Sequence, residues 1–339
     1  MITIDNIKDE DYRNFIAKIK PISFLQNFEW GEIEKELGRE VYRLGIFDQY
    51  LIGVCQIIGY KAKRGNFLGI LHGPILEEKY KSKIVEIAEK LIEYIKKTKL
   101  NQKYNFLRAN LLIEENKEIL DQLLKLGFKK APRILVSENF WIKELFNKSN
   151  EELLNECSNH HKKLILESLD KDYIEIEKTK EIDKIEIFLK LYKELASRKK
   201  FVPYSENLIK KEFEIFNKNN KAFLYLAKIE NKYYSSALII LENNIGFYHH
   251  GASIPIKEPV NYKLHFQIIQ DLKNMGLKFY NMWGITEEGP THPWYGLTQF
   301  KKGFGGRLIK LLPTLDYPFS VKYYLTYLFE RYFEKFKGY

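Results

Sequence analysis

The sequence predicts an α+β fold in which one structural unit is used twice. Three observations carry this. Stretches with helical spacing and stretches with strand alternation are interleaved along all 339 residues. The order helices, β-meander, helix, strand, helical connection and further strand runs through the first half and recurs in the second. A capping-box pattern from Ser149 to Glu152 opens the second run. This places a boundary near Leu145–Asn150, with a first unit over 1–146, a second over 147–316, and the tail 317–339 apart.

In chain order, residues 24–38 read as a helix ended by Gly38, a natural position for a residue of positive φ. Residues 41–76 read as three strands, with turns near Asp48–Tyr50 and around Lys61–Asn66. Ile84, Ile87, Ala88, Leu91, Ile92 and Ile95 fall at i, i+3/i+4 spacing, which predicts an amphipathic helix over 79–98. A strand around Phe106, a helix over 114–126 and strand patterns at 126–130 and 134–142 close the first run. In the second run, helices are predicted over 149–169, 181–197 and 205–217, with a short strand at 173–179. A three-strand meander then spans 222–253, followed by a helix over 260–275 stopped at Gly276 and a strand at 278–285. The tail is rich in Tyr and Phe with interleaved Lys and Arg. Such a helix suits either docking on a membrane surface or packing back on its own protein.

Composition removes several classes. With 45% apolar and 29% charged residues the chain is not disordered. Only 19 Gly and 10 Pro exclude collagen-like and low-complexity readings. Cys55 and Cys157 are too few for a disulfide framework and read as small buried residues of a reducing compartment. The N-terminus has no signal-peptide core, and no apolar run reaches the roughly 18 residues needed to span a bilayer. A soluble protein is expected. The charge of +10 suits an anionic partner, such as nucleic acid, a nucleotide-linked substrate or anionic lipid, although the basic residues are spread along the chain.

No P-loop, HExxH, GxSxG or CxxC motif is present. His160–His161 and His249–His250 are adjacent pairs, and strand neighbours point to opposite faces, so neither is expected to bind metal. The segment 279–306 carries the most chemistry, because Phe300 and Lys301 precede Gly303, Gly305 and Gly306. Glycines allow close backbone approach to a ligand, and a lysine there can hold a phosphate or stabilise an oxyanion. The plain alternative is a hairpin with an exposed lysine.

The ordered set FLQNFEWGEIEKELG, FLGILHGPI, NFLRAN, LGFKKA, SENFWIKEL, GASIP, YNMWGI and GLTQFKKGFGG resembles the Fem family (FemABX) across essentially the whole chain. These are transferases that move amino acids from aminoacyl-tRNA onto the peptidoglycan stem peptide. The resemblance implies two tandem GNAT-like (acyl-CoA N-acyltransferase-like) units facing each other, with the final helix 317–339 returning to the first unit. The second half has no long heptad insertion, so the chain resembles the short members without a coiled-coil arm. The implied partners are aminoacyl-tRNA and a lipid-linked or UDP-linked muropeptide precursor, with peripheral membrane contact in the lipid-linked case. No cofactor and no metal is implied. The implied location is cytoplasmic, at the inner face of the plasma membrane for a lipid-linked acceptor.

Residue by residue, the family's Phe-Lys pair falls on Phe300 and Lys301, which makes Lys301 the catalytic candidate and Phe300 the residue that shapes the channel. His250 stands where the family has a tyrosine, with Tyr248 two residues before, and is a candidate proton acceptor. Trp30, Lys35, Arg198, Tyr204, Tyr248, Asn281, Trp283, Gly305 and Gly306 fall on the substrate side of the resemblance. Departures lie on the acceptor side. Glu34 replaces a phosphate-contacting lysine, Tyr204 and Leu208 replace an arginine and a tyrosine, and Asn110 replaces an acid. Two other readings compete. One is acyl-CoA-dependent N-acyl transfer on the same scaffold, which normally carries [RQ]xxGx[GA]; here Gln299 precedes Gly303 by four residues rather than three. The other is a non-catalytic membrane- or RNA-binding module.

Overall fold

The computed structural model describes residues 1–62 and 65–337, with C-terminal side chains as far as Tyr332. Two compact units divide the chain, Met1–Asn139 with Ile309–Tyr339, and Phe140–Leu308. In the first unit, β1 (Thr3–Asn6) and α1 (Asp9–Ile19) precede the region in which sequence patterns were assigned. Asp9, Glu10 and Asp11 sit in the first turn of α1, where the helix dipole favours acids, and Tyr12, Phe15 and Ile16 are buried. Helix α2 (Phe28–Glu36) is shorter than predicted; Gly38 follows it at φ 78°.

Strands β2 (Glu40–Asp48), β3 (Tyr50–Tyr60), β4 (Phe67–Leu71) and β5 (Ile75–Leu76) follow. Lys63 and Arg64 of the expected turn lie outside the described residues. Helix α3 (Ile84–Lys97) buries the six apolar residues named from its spacing. Each such side chain is worth about 1.5–3 kcal/mol when fully buried. After the short α4 (Leu100–Lys103), β6 (Phe106–Asn110) pairs in parallel with β4, so α3 lies in the crossover between them. Helix α5 (Lys117–Lys125), capped by the Asn116 side chain, leads to β7 (Lys129–Lys130).

The second unit begins at β8 (Asn139–Glu144), which pairs antiparallel with β13 (Phe279–Gly284). That pairing moves the crossing between units ahead of the expected Leu145–Asn150. The predicted capping box is present: Ser149 and Glu152 exchange hydrogen bonds at the start of α6 (Asn150–Asn155). Then come α7 (Asn159–Leu169), β9 (Ile174–Thr179), α8 (Ile185–Lys199) and α9 (Glu206–Lys218). The meander is β10 (Ala222–Ile229), β11 (Lys232–Glu242) and β12 (Ile245–Ser253), followed by α10 (Val260–Asn274). Helix α11 (Tyr295–Lys302) and β14 (Arg307–Lys310) complete this part. The seven-stranded sheet runs β14-β8-β13-β12-β11-β10-β9. One face, with Tyr225, Ala227, Ala237, Ile239, Tyr280 and Met282, packs with Ile165 of α7 and the apolar side of α10. The alternate residues Leu224, Leu226, Leu238, Ile240 and Phe247 are also fully buried. Helices α8 and α9 cover that second face.

The chain ends in the first unit. Strand β15 (Leu315–Pro318) pairs with β6 and β7, completing the order β1-β2-β3-β4-β6-β15-β7 with β5 on β3. Helix α12 (Lys322–Lys337) then buries Tyr323 and Thr326, and the Tyr323 ring lies 5.2 Å from Phe106. Beneath it, Arg108 makes two hydrogen bonds to Asp316, at 2.7 and 2.8 Å, and one to Glu330 at 2.8 Å. The aromatic tail therefore packs on the first unit through this described part. Phe333, Phe336 and Tyr339 lie outside the described side chains. Among the described residues no helix exceeds the 16 residues of α12, so none forms a long arm, and no helix is long and apolar enough to cross a membrane.

Candidate active site

The segment singled out for its chemistry folds as a helix rather than a hairpin, and its lysine is buried. Lys301 lies in the last turn of α11 and is 5% exposed. Its Nζ donates to the carbonyl of Gly284, at the end of β13, over 2.6 Å. The amine stands 5.8 Å from the centre of the Tyr248 ring on β12. Burial pulls its pKa down from 10.5 to about 7, because an ammonium is poorly solvated there.

Imidazoles pack around the neighbouring Phe300. His161 on α7 shares hydrogen bonds with the Phe300 carbonyl at 2.9 Å and with Ser158 Oγ at 3.1 Å. Ser158 also caps α7, accepting from the His161 amide. His265 on α10 pairs with the Tyr280 hydroxyl at 2.9 Å. Burial, then the nearby Lys301 and His161, pushes His265 down to about 3, so it is a neutral partner. The Phe300 ring fills the space among His161, Tyr262, His265 and Phe304, with ring centres 5.2 to 5.8 Å away. Sequence reasoning weighed His161 only as half of a metal pair and missed His265. The signal was available for His161, since Ser158 with a residue three positions on is an N-cap spacing.

Gly305 and Gly306 were expected to let backbone approach a substrate. Both glycines also approach the chain itself closely. At φ 79° and 113°, a Cβ on Gly305 would stand 2.7 Å from the Glu156 carbonyl oxygen, and one on Gly306 2.4 Å from that of Ile142. Trp141 Nε1 donates to the Gly305 carbonyl at 2.8 Å, fixing the turn to β8.

His250 is not beside Lys301. The pairing of β12 with β11 runs Ile239 to Tyr248 and then Leu238 to His250, so His249 is an extra, bulged residue. The bulge turns Tyr248 toward α10 and His250 toward α8 and α9, where its ring meets Phe188 and Tyr192 at 6.3 Å each. It also brings His249 and His250 to the same side, with ring centres 4.0 Å apart, contrary to the alternation expected of strand neighbours. Both approach the buried carboxylate of Glu212 on α9, at 2.7 Å from His250 Nε2 and 3.2 Å from His249 Nε2. Tyr204, half exposed, lies 5.4 Å from the His250 ring, and Trp283, at φ 62°, lies 6.1 Å from His249. Asn281 accepts from the Trp283 amide at 2.8 Å. Arg198 donates to the Ser253 carbonyl at 2.8 Å.

In the first unit, Trp30 is buried on α2 against Phe24. Lys35 is exposed and pairs with Glu32 at 2.9 Å. Glu34 is buried and bonded to Arg39. A buried acid in that place cannot contact a phosphate as a lysine would.

The architecture defines an acyltransferase scaffold made of two tandem GNAT-like units. The chain belongs to the FemAB family, whose model matches residues 7–246 and 260–331. It is similar to the crystal structure of FemX, at 18% identity and TM-score 0.79, over 96% of this chain and 99% of that one. L-PGS from Bacillus licheniformis is similar at 11% identity and TM-score 0.58, over 96% and 98% of the two chains. A tandem GNAT protein from the clavulanic acid biosynthesis pathway is similar at 5% identity and TM-score 0.56, over 94% and 98%. At these identities the likeness is one of fold. No curated protein sequence matches this chain.

Proposed function

We propose that this protein transfers an amino acid from aminoacyl-tRNA to an amine of the peptidoglycan stem peptide, building interpeptide bridges. The observation that carries the reading is the buried Lys301, whose side chain crosses from α11 to Gly284 inside the family-matched segment. The amine attacks the ester carbonyl, the carbonyl oxygen takes up negative charge, and the ribose oxygen leaves with a proton. The ester is already activated, so the protein's task is to place the amine and stabilise that charge. Lys301 in its ammonium form has hydrogens beyond the one held by Gly284 for the oxyanion, and the low surrounding polarity strengthens that contact. The charge of +10 favours both tRNA and a pyrophosphate-bearing acceptor.

A lipid-linked acceptor is the preferred form. Glu34 occupies a place where a nucleotide-linked acceptor would want a cation. Val321, just before α12, and Leu325, Leu328 and Tyr332 along it are meanwhile exposed, a surface suited to an anionic bilayer. The test is incubation of the purified protein with charged tRNA and either lipid-linked or UDP-linked pentapeptide. Transfer to the lipid-linked acceptor is expected; transfer to neither, beside a working control enzyme, rejects the reading.

A further inference from the structure

The bulge in β12 creates a second cluster that the transfer chemistry leaves unused. His249 and His250 come from one strand and Glu212 from α9, and all three side chains are 7% exposed or less. Their donor atoms lie within 4.8 Å of one another. Two imidazoles with one carboxylate are a ligand set for borderline divalent ions such as zinc. Tetrahedral zinc with bonds of about 2.0–2.1 Å spaces its ligands about 3.3 Å apart. His249 already stands at 3.2 Å from the Glu212 oxygen, and His250 at 2.7 Å needs to move by roughly half an ångström.

The environment agrees. The Glu212 side chain is 1% exposed and its carboxylate faces both imidazoles. Among the described residues no lysine or arginine pairs with this carboxylate; its partners are the two histidines. Phe188, Tyr192 and Trp283 surround the group with aromatic rings, and Tyr204, 58% exposed, marks its outer side. Such a dry shell around a three-ligand set leaves a fourth position for water.

We propose that Glu212, His249 and His250 bind one divalent transition-metal ion of the zinc type, clamping α9 to the bulged strand. The proposal is independent of the transfer reading, because its readout is metal uptake. Chelator-stripped, tag-free protein is titrated calorimetrically with zinc, and separately with cobalt(II) while visible absorption is followed. One equivalent of zinc and the absorption of low-symmetry, histidine-ligated cobalt are expected. Glu212→Gln and His249→Asn should each weaken binding at least tenfold while circular dichroism shows a folded chain. Absent stoichiometric uptake by the unaltered protein, or uptake unchanged in the variants, overturns the site. If the variants do not fold, the unaltered protein still decides. Zinc should shield His249 and His250 from diethyl pyrocarbonate, mapped by mass spectrometry, and equal labelling with and without zinc rejects the proposal.

Discussion

Lys301 shows how burial and function meet in one residue. Burial pulls its amine down to about 7 in the folded protein, from the ordinary 10.5 of the unfolded chain. Between those values the unfolded chain holds the extra proton, so stability rises with pH across that window. Relative to Lys301→Met, the cost of the lysine should therefore be full below pH 7 and fade toward 10.5, on the order of a few kcal/mol. Denaturant midpoints of both proteins at pH 6 and pH 9.5 check this; a constant gap contradicts it. If the ammonium stabilises the oxyanion, the chemical step should slow as pH rises through about 7, which single-turnover rates would record. Gly306 is a different case. With φ at 113° and the Ile142 carbonyl in the way, Gly306→Ala should destabilise by more than about 1 kcal/mol, measured by urea unfolding.

At the scale of elements, α12 and β15 are held by one buried ionic group. Burial raises the Asp316 pKa while Arg108 opposes that rise, so the pair depends on both partners. Arg108→Met strands Asp316 beneath α12 and should cost about 3–5 kcal/mol. Thermal unfolding would measure it, and a loss below about 1 kcal/mol would show that the network is not a structural anchor. Removing 317–339 uncovers Phe106 and takes Glu330 away from Arg108, which keeps Asp316, so deletion should destabilise the first unit. Retained stability with lost binding to anionic liposomes would assign the helix to the membrane alone. Elements with strong periodicity were legible in the sequence. The spacing of Ile84 to Ile95 named the buried face of α3, and Ser149 with Glu152 named the start of α6. The bulge at His249 was not legible, because alternation assumes a regular pleat and one extra residue reverses every face after it.

At the scale of the molecule, sheets of eight and seven strands among the described residues carry the α+β pattern read from the order of elements. The repeated order was visible because each unit needs its own buried face, and that need imposes the same hydrophobic rhythm twice. The site was legible only in part. Phe300 and Lys301 were named as a block to examine, yet its helix was not foreseen and its lysine was allowed to be exposed. Their packing depends on His161 and His265, from helices more than 30 residues away in the chain, and local pattern carries no such contacts. The close approach of Gly305 and Gly306 to Glu156 and Ile142 was not legible for the same reason, since that backbone is brought in from far along the chain. The most direct measurement is single-turnover aminoacyl transfer by the unaltered protein and by Lys301→Met, each verified as folded. The account predicts a loss of at least about 100-fold in the chemical step. Equal rates would contradict it.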